Sequence, residues 1–377
     1  MSRARPSRVV VGLSGGVDSS VAALLLQRSG FDVHGLFMNN WEEDEDGYCT
    51  NARDFQDARA VCDRLDIPLH RVSFAQEYRE RVFAYLLSEY EAGRTPNPDV
   101  LCNREIKFGV FADYARRLGA RHIATGHYAR ISSDGRRLLR ARDENKDQTY
   151  FLHGIDGKQL ADVIFPLGEL DKAEVRRIAD EAAFANHAKP DSTGICFIGE
   201  RPFREFLAGY LPGQPGPIVT ENGDRIGEHH GLVYYTIGQR QGLGVGGLTG
   251  YDDSPWYVAG KDLATNELLV VQGNDHPRLL ATGLLAVAPN WIAGEAPALP
   301  LRCQARLRHR QRLQDCRVAA GDEGLMVTFD TPQRAVAPGQ FAVFYDGETC
   351  LGGAVIQEAC QRDQNIAEKS SDSASAA

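Results

Sequence analysis

Three short stretches hold side chains whose types and spacing suit chemistry. Ser14-Gly15-Gly16-Val17-Asp18-Ser19-Ser20 combines two glycines, one acid and three hydroxyls. Glycines let the backbone turn tightly and approach a ligand closely. Free N–H groups at the start of a following helix, with the helix dipole, form an anion site. Ser14, Ser19 and Ser20 add donors. The Lys of a Walker A loop is absent, which excludes an ordinary P-loop kinase or GTPase. A bare strand-to-helix turn would need only the two glycines. The whole string is more specific than that, and a carboxylate beside bound phosphates would be repulsive without a bridging cation, so Mg²⁺ is expected near Asp18.

The second stretch is Arg94-Thr95-Pro96-Asn97-Pro98-Asp99-Val100-Leu101-Cys102-Asn103. Its two prolines stiffen the loop, and a helix is predicted over Glu105–Leu118. Cys102 then falls just before a helix N-terminus with Arg104 and Lys107 nearby, a setting that favours a thiolate. Asp99 can accept a proton from the thiol or from a substrate. An equal reading makes Asp99 a cap and Cys102 a small buried hydrophobe. The third stretch is Asp191-Ser192-Thr193-Gly194-Ile195-Cys196-Phe197-Ile198-Gly199. Ile195 and Phe197 favour a core cysteine at 196. The bounding glycines suit a tightly turned or moving loop, as a travelling thiol would need. The other six cysteines receive no role.

The elements that must position these groups follow from the pattern. Arg8–Leu13, Phe31–Met38, Pro68–Phe74 and His122–Gly126 read as strands. Ser20–Gln27, Asn51–Leu65, Glu77–Glu91, Lys172–Ala183 and Pro202–Tyr210 read as helices. The alternation predicts βαβ units and an α/β fold on a parallel sheet. Arg130–Arg142, with Asp134-Gly135 at its middle, reads as a hairpin. The Pro/Gly-rich stretch Leu211–Pro217 suits a domain boundary. Beyond it short β-type runs dominate: Gly231–Thr236, Trp256–Val258, Leu268–Val271, Leu301–Leu313, Gly324–Phe329, Phe341–Tyr345 and Ala354–Gln357. We expect a nucleotide-binding domain over 1–211, a small linking domain over 212–275 and a C-terminal β-barrel over 276–360. The tail 361–377 is expected to be disordered.

With 377 residues the chain is long enough for two or three cores. A formal charge of −9 argues against indiscriminate nucleic-acid binding but leaves room for a local basic face. Arg302, Arg306, Arg308, Arg310 and Arg312 share one parity, so a strand over Leu301–Leu313 would line them up for phosphates; a merely solvated barrel face is the competing reading. The acidic run Trp41–Asp46 should face away from RNA or toward a basic partner. No apolar run reaches membrane-spanning length, and no C-x-x-C pair suggests a zinc ribbon. A cytoplasmic enzyme with mostly reduced cysteines is expected.

Several longer strings occur together: Gly35–Met38, Gly93–Asn103, Ala124–Tyr128, Lys146–Leu152, Asp191–Glu200 and Gly238–Gly244. With the Ser14–Ser20 loop they resemble the bacterial tRNA 2-thiouridylases, a family with a pyrophosphatase-type ATP loop, from about residue 8 to about 357. The resemblance implies ATP as co-substrate and no permanent metal or organic cofactor. It implies nucleotide contacts from Gly12, Leu13, Ser14, Gly15, Gly16, Val17, Asp18, Ser19, Met38 and Gly126. Asn97, Pro98 and Asp99 would face the target base, and Lys146, Asp147, Gln148, Arg308 and His309 would touch tRNA. His309 lies off the arginine parity, so it needs a bulge or strand end to join them. Cys102 would be the nucleophile and Cys196 the persulfide carrier, the two closing a transient disulfide that an external thiol reduces. That pairing requires the Cys196 loop to move. The implied partners are tRNAs of the Glu, Gln and Lys isoacceptors and a persulfide donor such as a cysteine desulfurase or a sulfur-relay protein. Two positions depart from the family: Gln241 stands where Lys is usual, and His309 where Tyr is usual. Another adenylating ligase with an amine nucleophile would explain the loop without the cysteines. A non-catalytic nucleotide- and RNA-binding module would explain the loop and the arginines without pyrophosphate release.

Overall fold

The computed structural model describes residues 6–41, 50–191, 203–246 and 250–361. Cys196, most of the acidic run and the tail beyond 361 lie outside these residues. Strands β1 (Arg8–Gly12), β2 (Asp32–Asn39), β3 (Leu69–Ser73) and β4 (His122–Ala124) are followed by a hairpin of β5 (Arg130–Ile131) and β6 (Leu138–Leu139), then by β7 (Val163–Ile164). The parallel sheet runs β3-β2-β1-β4-β7. Val9, Val10 and Val11 are fully buried, as a parallel strand covered on both faces requires. Helices α1 (Val17–Arg28) and α2 (Thr50–Leu65) share one core with Val9, Val11 and Phe37. The opposite face, with Val10, Leu36 and Met38, packs on the helical segments between residues 75 and 117.

Strand order reverses between β1 and β4. Crevices at the carboxyl ends of strands beside such a reversal are where open α/β sheets bind ligands. The chain leaves β1 through Leu13–Gly16 directly into α1, which begins at Val17, three residues before the expected Ser20.

Helix Pro98–Leu101 continues into the π-type stretch Cys102–Val110 and then Phe111–Arg117. This corrects the expected start at Glu105. Asn97 is the N-cap, its side chain accepting from Asp99 N at 3.2 Å, and Pro98 occupies the first helical position. The proline read as a loop stiffener is one of the few residues that fit that position, because its missing N–H needs no partner there. Cys102 therefore sits in the second turn, away from the exposed N–H groups.

The central sheet contains β8 (Gly216–Val219), β9 (Arg225–His229), β10 (Trp256–Asp262) and β11 (Glu267–Gln272) in the order β10-β11-β8-β9. The β-type run Gly231–Thr236 is instead a 3₁₀ turn, Leu232–Tyr234, with the Tyr234 hydroxyl donating to Leu211 O at 2.7 Å. Strands β12 (Leu280–Trp291), β13 (Leu301–Arg306), β14 (Gln314–Ala320), β15 (Leu325–Arg334), β16 (Phe341–Asp346) and β17 (Thr349–Cys360) form a barrel in the order β12-β15-β14-β13-β16-β17, closed by β12 against β17. The N-terminal hairpin joins this sheet, with β6 pairing antiparallel to β17. β13 stops at Arg306 rather than Leu313. Gln311 Oε1 accepts from Leu307 N at 2.8 Å and Arg310 takes φ +66°, so the chain turns. The five-arginine strand face does not form.

Candidate active site

The loop after β1 is held by its own serine hydroxyls and glycines. Gly16 caps α1, and the hydroxyls of Ser19 and Ser20 donate to Gly16 O at 3.0 and 2.9 Å. Ser14 Oγ lies 3.3 Å from Ser19 Oγ and accepts from Gly16 N at 3.4 Å. Gly15 has φ +75°, and a Cβ there would stand 2.2 Å from Asp54 O, so glycine is required on both counts. Gly126 closes the other wall: a Cβ would lie 2.7 Å from Ser19 N, at the first turn of α1. Met38, at the end of β2, is buried with its methyl 3.7 Å from where a Gly12 Cβ would lie. The structure thus brings the loop after Gly12, Met38 and Gly126 together at the carboxyl end of β1.

Sequence reasoning named Lys146 but missed Lys172, Arg176 and Lys189 around this loop. Lys172 Nζ lies 2.7 and 2.9 Å from the two carboxylate oxygens of Asp18 and 2.7 Å from Asp191. The Tyr128 hydroxyl donates to Asp18 at 2.9 Å, and burial beside that carboxylate pushes the Tyr128 pKa well up. Lys146 donates to Asp191 at 2.5 Å, and Arg176 lies 3.4 Å from it. Burial alone would raise Asp191, but Lys146 and Lys172 hold it down at about 2. Lys189 donates to Gly15 O at 3.2 Å and to Asp54 and Asp57 at 2.6 Å each. The signal that could have found Lys172 was its place right after the helix cap Asp171.

The tRNA-directed residues fall into three groups. Gln148 joins the loop region through Tyr128: Tyr128 N donates to its Oε1 at 2.9 Å and Gln148 N donates to Tyr128 O at 3.0 Å. Lys146 joins it through Asp191. Asp147 does not face outward. Its side chain is fully enclosed, accepting from Arg306 at 2.9 Å, Thr149 Oγ1 at 2.8 Å and two backbone N–H groups at 3.3 Å. An enclosed carboxylate cannot touch RNA, so Asp147 shapes its segment from within, and Arg306 is its buried counter-ion. Arg308 reaches back to Ala335 O at 2.6 Å and Ile237 O at 3.4 Å. The His309 ring packs 4.5 Å from Phe151, in the turn where the strand ends, and burial followed by Arg310 lowers its pKa. Arg302 pairs with Asp330. Arg310 and Arg312 remain exposed.

Cys102 is fully buried in the core cluster that holds Met38 and Trp41, as the small-hydrophobe reading expected, and Arg104 pairs with Glu105 at 2.8 Å. The next residue, Asn103, donates to Phe151 O at 3.0 Å and ties the cysteine helix to the segment after Gln148. Asp99 is half-buried at the first turn of that helix. The arrangement offers an anion cradle, a carboxylate neutralised by an ammonium, and a buried thiol behind a proline-started helix.

A parallel sheet whose strand order reverses beside a glycine-serine loop without a Walker lysine is the frame of a nucleotide-binding α/β domain. Residues 7–200 match the family model described as tRNA methyl transferase HUP domain; 204–272 match its PRC-barrel domain and 281–356 the aminomethyltransferase beta-barrel domain. The chain is 58% identical to the tRNA-specific 2-thiouridylase MnmA of Marinobacter nauticus over 93% of its own length and 91% of the relative's. It is 58% identical to that of Hahella chejuensis over 95% and 99% of the two chains, and 59% identical to that of Pseudomonas fluorescens over 93% and 95%. The chain belongs to the tRNA-specific 2-thiouridylase family.

Proposed function

We propose that this chain replaces the C2 oxygen of a tRNA wobble uridine (position 34) with sulfur, using ATP and two cysteines. The observation that carries the reading is the junction of the ATP-type cradle with the segments bearing Asn97–Cys102 and Lys146–Gln148. Uridine oxygen is a poor leaving group. Its attack on the α-phosphate of ATP expels pyrophosphate and leaves the C2 oxygen bonded to AMP. The cradle N–H groups, Ser14 and Ser19 hold phosphate oxygens, while Lys172, Lys189 and the helix dipole offset their charge. Asp18 and the phosphate oxygens suit a hard cation such as Mg²⁺, which would arrive with ATP and neutralise charge; among the described residues no cluster of three or more metal-ligating side chains exists.

Sulfur then attacks C2 and AMP leaves with the oxygen. Cys196 carries the persulfide, and Cys102 attacks its inner sulfur, forming the Cys102–Cys196 disulfide as the outer sulfur passes to C2. Asp191, at the start of the stretch that carries Cys196 in the sequence, is anchored beside Asp18 through Lys172. Methyl transfer, which the domain model's description mentions, would use neither the adenylating loop nor a pair of thiols. The partners are tRNA, of the Glu, Gln and Lys isoacceptors, and a persulfide donor in the cytoplasm. No described helix is long and apolar enough to cross a membrane.

The test is to incubate wild type, Cys196→Ser and Cys102→Ser with a labelled persulfide donor, ATP and tRNA, reading protein-bound label and thiolated nucleoside separately. Cys196→Ser should not load. Cys102→Ser should load but not complete turnover. Loading lost only in Cys102→Ser would reverse the roles, and full thiolation by both variants would mean that sulfur reaches the base without either cysteine.

A further inference from the structure

Two arginines meet where the barrel adjoins the central sheet. Arg308 stands in the turn beyond β13, and its Nη2 donates to Ala335 O at 2.6 Å and to Ile237 O at 3.4 Å. Arg334 ends β15, its Nε donating to Asn274 O at 2.7 Å and its guanidinium lying 4.7 Å over the Tyr257 ring of β10. Arg308 Nη2 and Arg334 Nη1 both lie 3.6 Å from where a Gly238 Cβ would stand. Gly238 opens the string Gly238–Gly244, and a Cβ there would collide with that of Ala335, which is how close the central loop comes to the end of β15. Among the described residues neither arginine forms an ion pair, whereas Arg302 and Arg306 pair with Asp330 and Asp147. Arg334 Nη2 is buried with no hydrogen-bond partner. Desolvation of its guanidinium, then the Arg334 charge, lowers the Arg308 pKa.

Two like charges held together without a counter-ion repel, and a buried N–H without an acceptor costs free energy. Backbone carbonyls fix one edge of each guanidinium, and each keeps further N–H groups for an anion of matching geometry. We propose that Arg334 joins Arg308 in holding one backbone phosphate of the tRNA at this junction. The inference rests on the assignment of Arg308 to tRNA. An N–H···O bond spans about 2.9 Å, so different oxygens of one phosphate can accept from both arginines across the Gly238 point. The bound anion cancels the repulsion that the free protein carries. The exposed Arg310 and Arg312 follow on the same turn, so the pair stands beside cations that suit a strand of phosphates rather than one small anion. The central loop belongs to this site through Ile237 O, which orients Arg308 from the neighbouring domain.

The experiment titrates tRNA against the full chain over a range of salt and follows melting in parallel. Arg334→Gln keeps a donor for Asn274 O but removes the charge. It should melt no lower than wild type, because the repulsion toward Arg308 is gone, yet bind tRNA about tenfold more weakly. Its slope of log K against log salt should fall by about 0.9, or about 0.7 on single strands. Arg334→Lys keeps the charge and should restore the slope. Arg308→Gln should behave as Arg334→Gln does, and the double variant should lose the slope of one phosphate, not of two. Three results overturn the proposal: affinity and slope of Arg334→Gln unchanged, weaker binding that follows a lower melting temperature, or twice the slope lost in the double variant. If Arg308→Gln also binds like wild type, the assignment of Arg308 to tRNA fails with it. If Arg308→Gln is weak while Arg334→Gln is normal, that assignment stands and the pairing alone is wrong.

Discussion

Asp18 carries two bonds from Lys172 and one from Tyr128, so its charge is already balanced before any nucleotide arrives. Incoming phosphates would compete for the ammonium and for any cation at the same carboxylate. Asp18→Ala should therefore abolish tRNA-dependent pyrophosphate release without unfolding the chain, since a half-exposed side chain at a helix start carries little of the core. Pyrophosphate released at the wild-type rate would remove Asp18 from the reaction. At this scale the loop from Gly12 to Ser19 was readable because glycines, hydroxyls and an acid each have a local reason to be there. Lys172 was not, because its meaning lies in a partner 154 residues away. Asp147 misled for a related reason: in sequence it looks like an exposed acid beside Lys146, and only the fold supplies Arg306 as its enclosed partner.

The element that joins the cysteine helix to the barrel is the short helix Thr149–Leu152 with His153 at its end. His153 is buried and its Nδ1–H donates to Tyr150 O at 2.8 Å, while its ring packs 4.8 Å from Phe341. Burial lowers its pKa from 6.5 to about 4. The unfolded chain takes up a proton near pH 6.5 that the folded one refuses until about pH 4, so stability falls through that window as acid is added and levels off below it. The effect is worth up to about 3 kcal/mol. His153→Asn, which keeps a donor but cannot titrate, should flatten the pH dependence of the urea midpoint between those values. An unchanged slope would place the acid sensitivity elsewhere, for example at the buried His127. Long periodic elements such as α2 and strongly apolar ones such as β1 were legible. The two-residue β7 and the four-residue helix after Gln148 were not, because their few residues carry no period and are held by tertiary packing. The strand expected through Leu313 failed because parity continues in sequence after the backbone has turned at Arg310.

Across the whole molecule a net charge of −9 is reconciled with an RNA substrate by placing cations locally rather than broadly. Arg306 is enclosed against Asp147 and Arg302 pairs with Asp330 at the surface, while Arg308, Arg310 and Arg312 are exposed beyond β13. Arg310→Ala with Arg312→Ala should weaken tRNA binding and reduce the slope of log K against log salt by about 0.9 for each phosphate no longer neutralised, or about 0.7 on single strands. An unchanged slope would make these arginines simple surface. The three-part α/β, central-sheet and barrel architecture was legible from the change in character after Leu211, whereas the docking of the β5–β6 hairpin on β17 was not, since nothing local marks a strand for a partner 210 residues away. The central step of the proposed reaction is ATP's activation of the uridine oxygen itself. It is tested most directly with tRNA whose target uridine carries heavy oxygen at C2, thiolated in one turnover by the full chain, ATP and a persulfide donor. The heavy oxygen should be recovered in AMP, in a one-to-one ratio with 2-thiouridine. Its recovery in water or in pyrophosphate, with unlabelled AMP, would contradict that step.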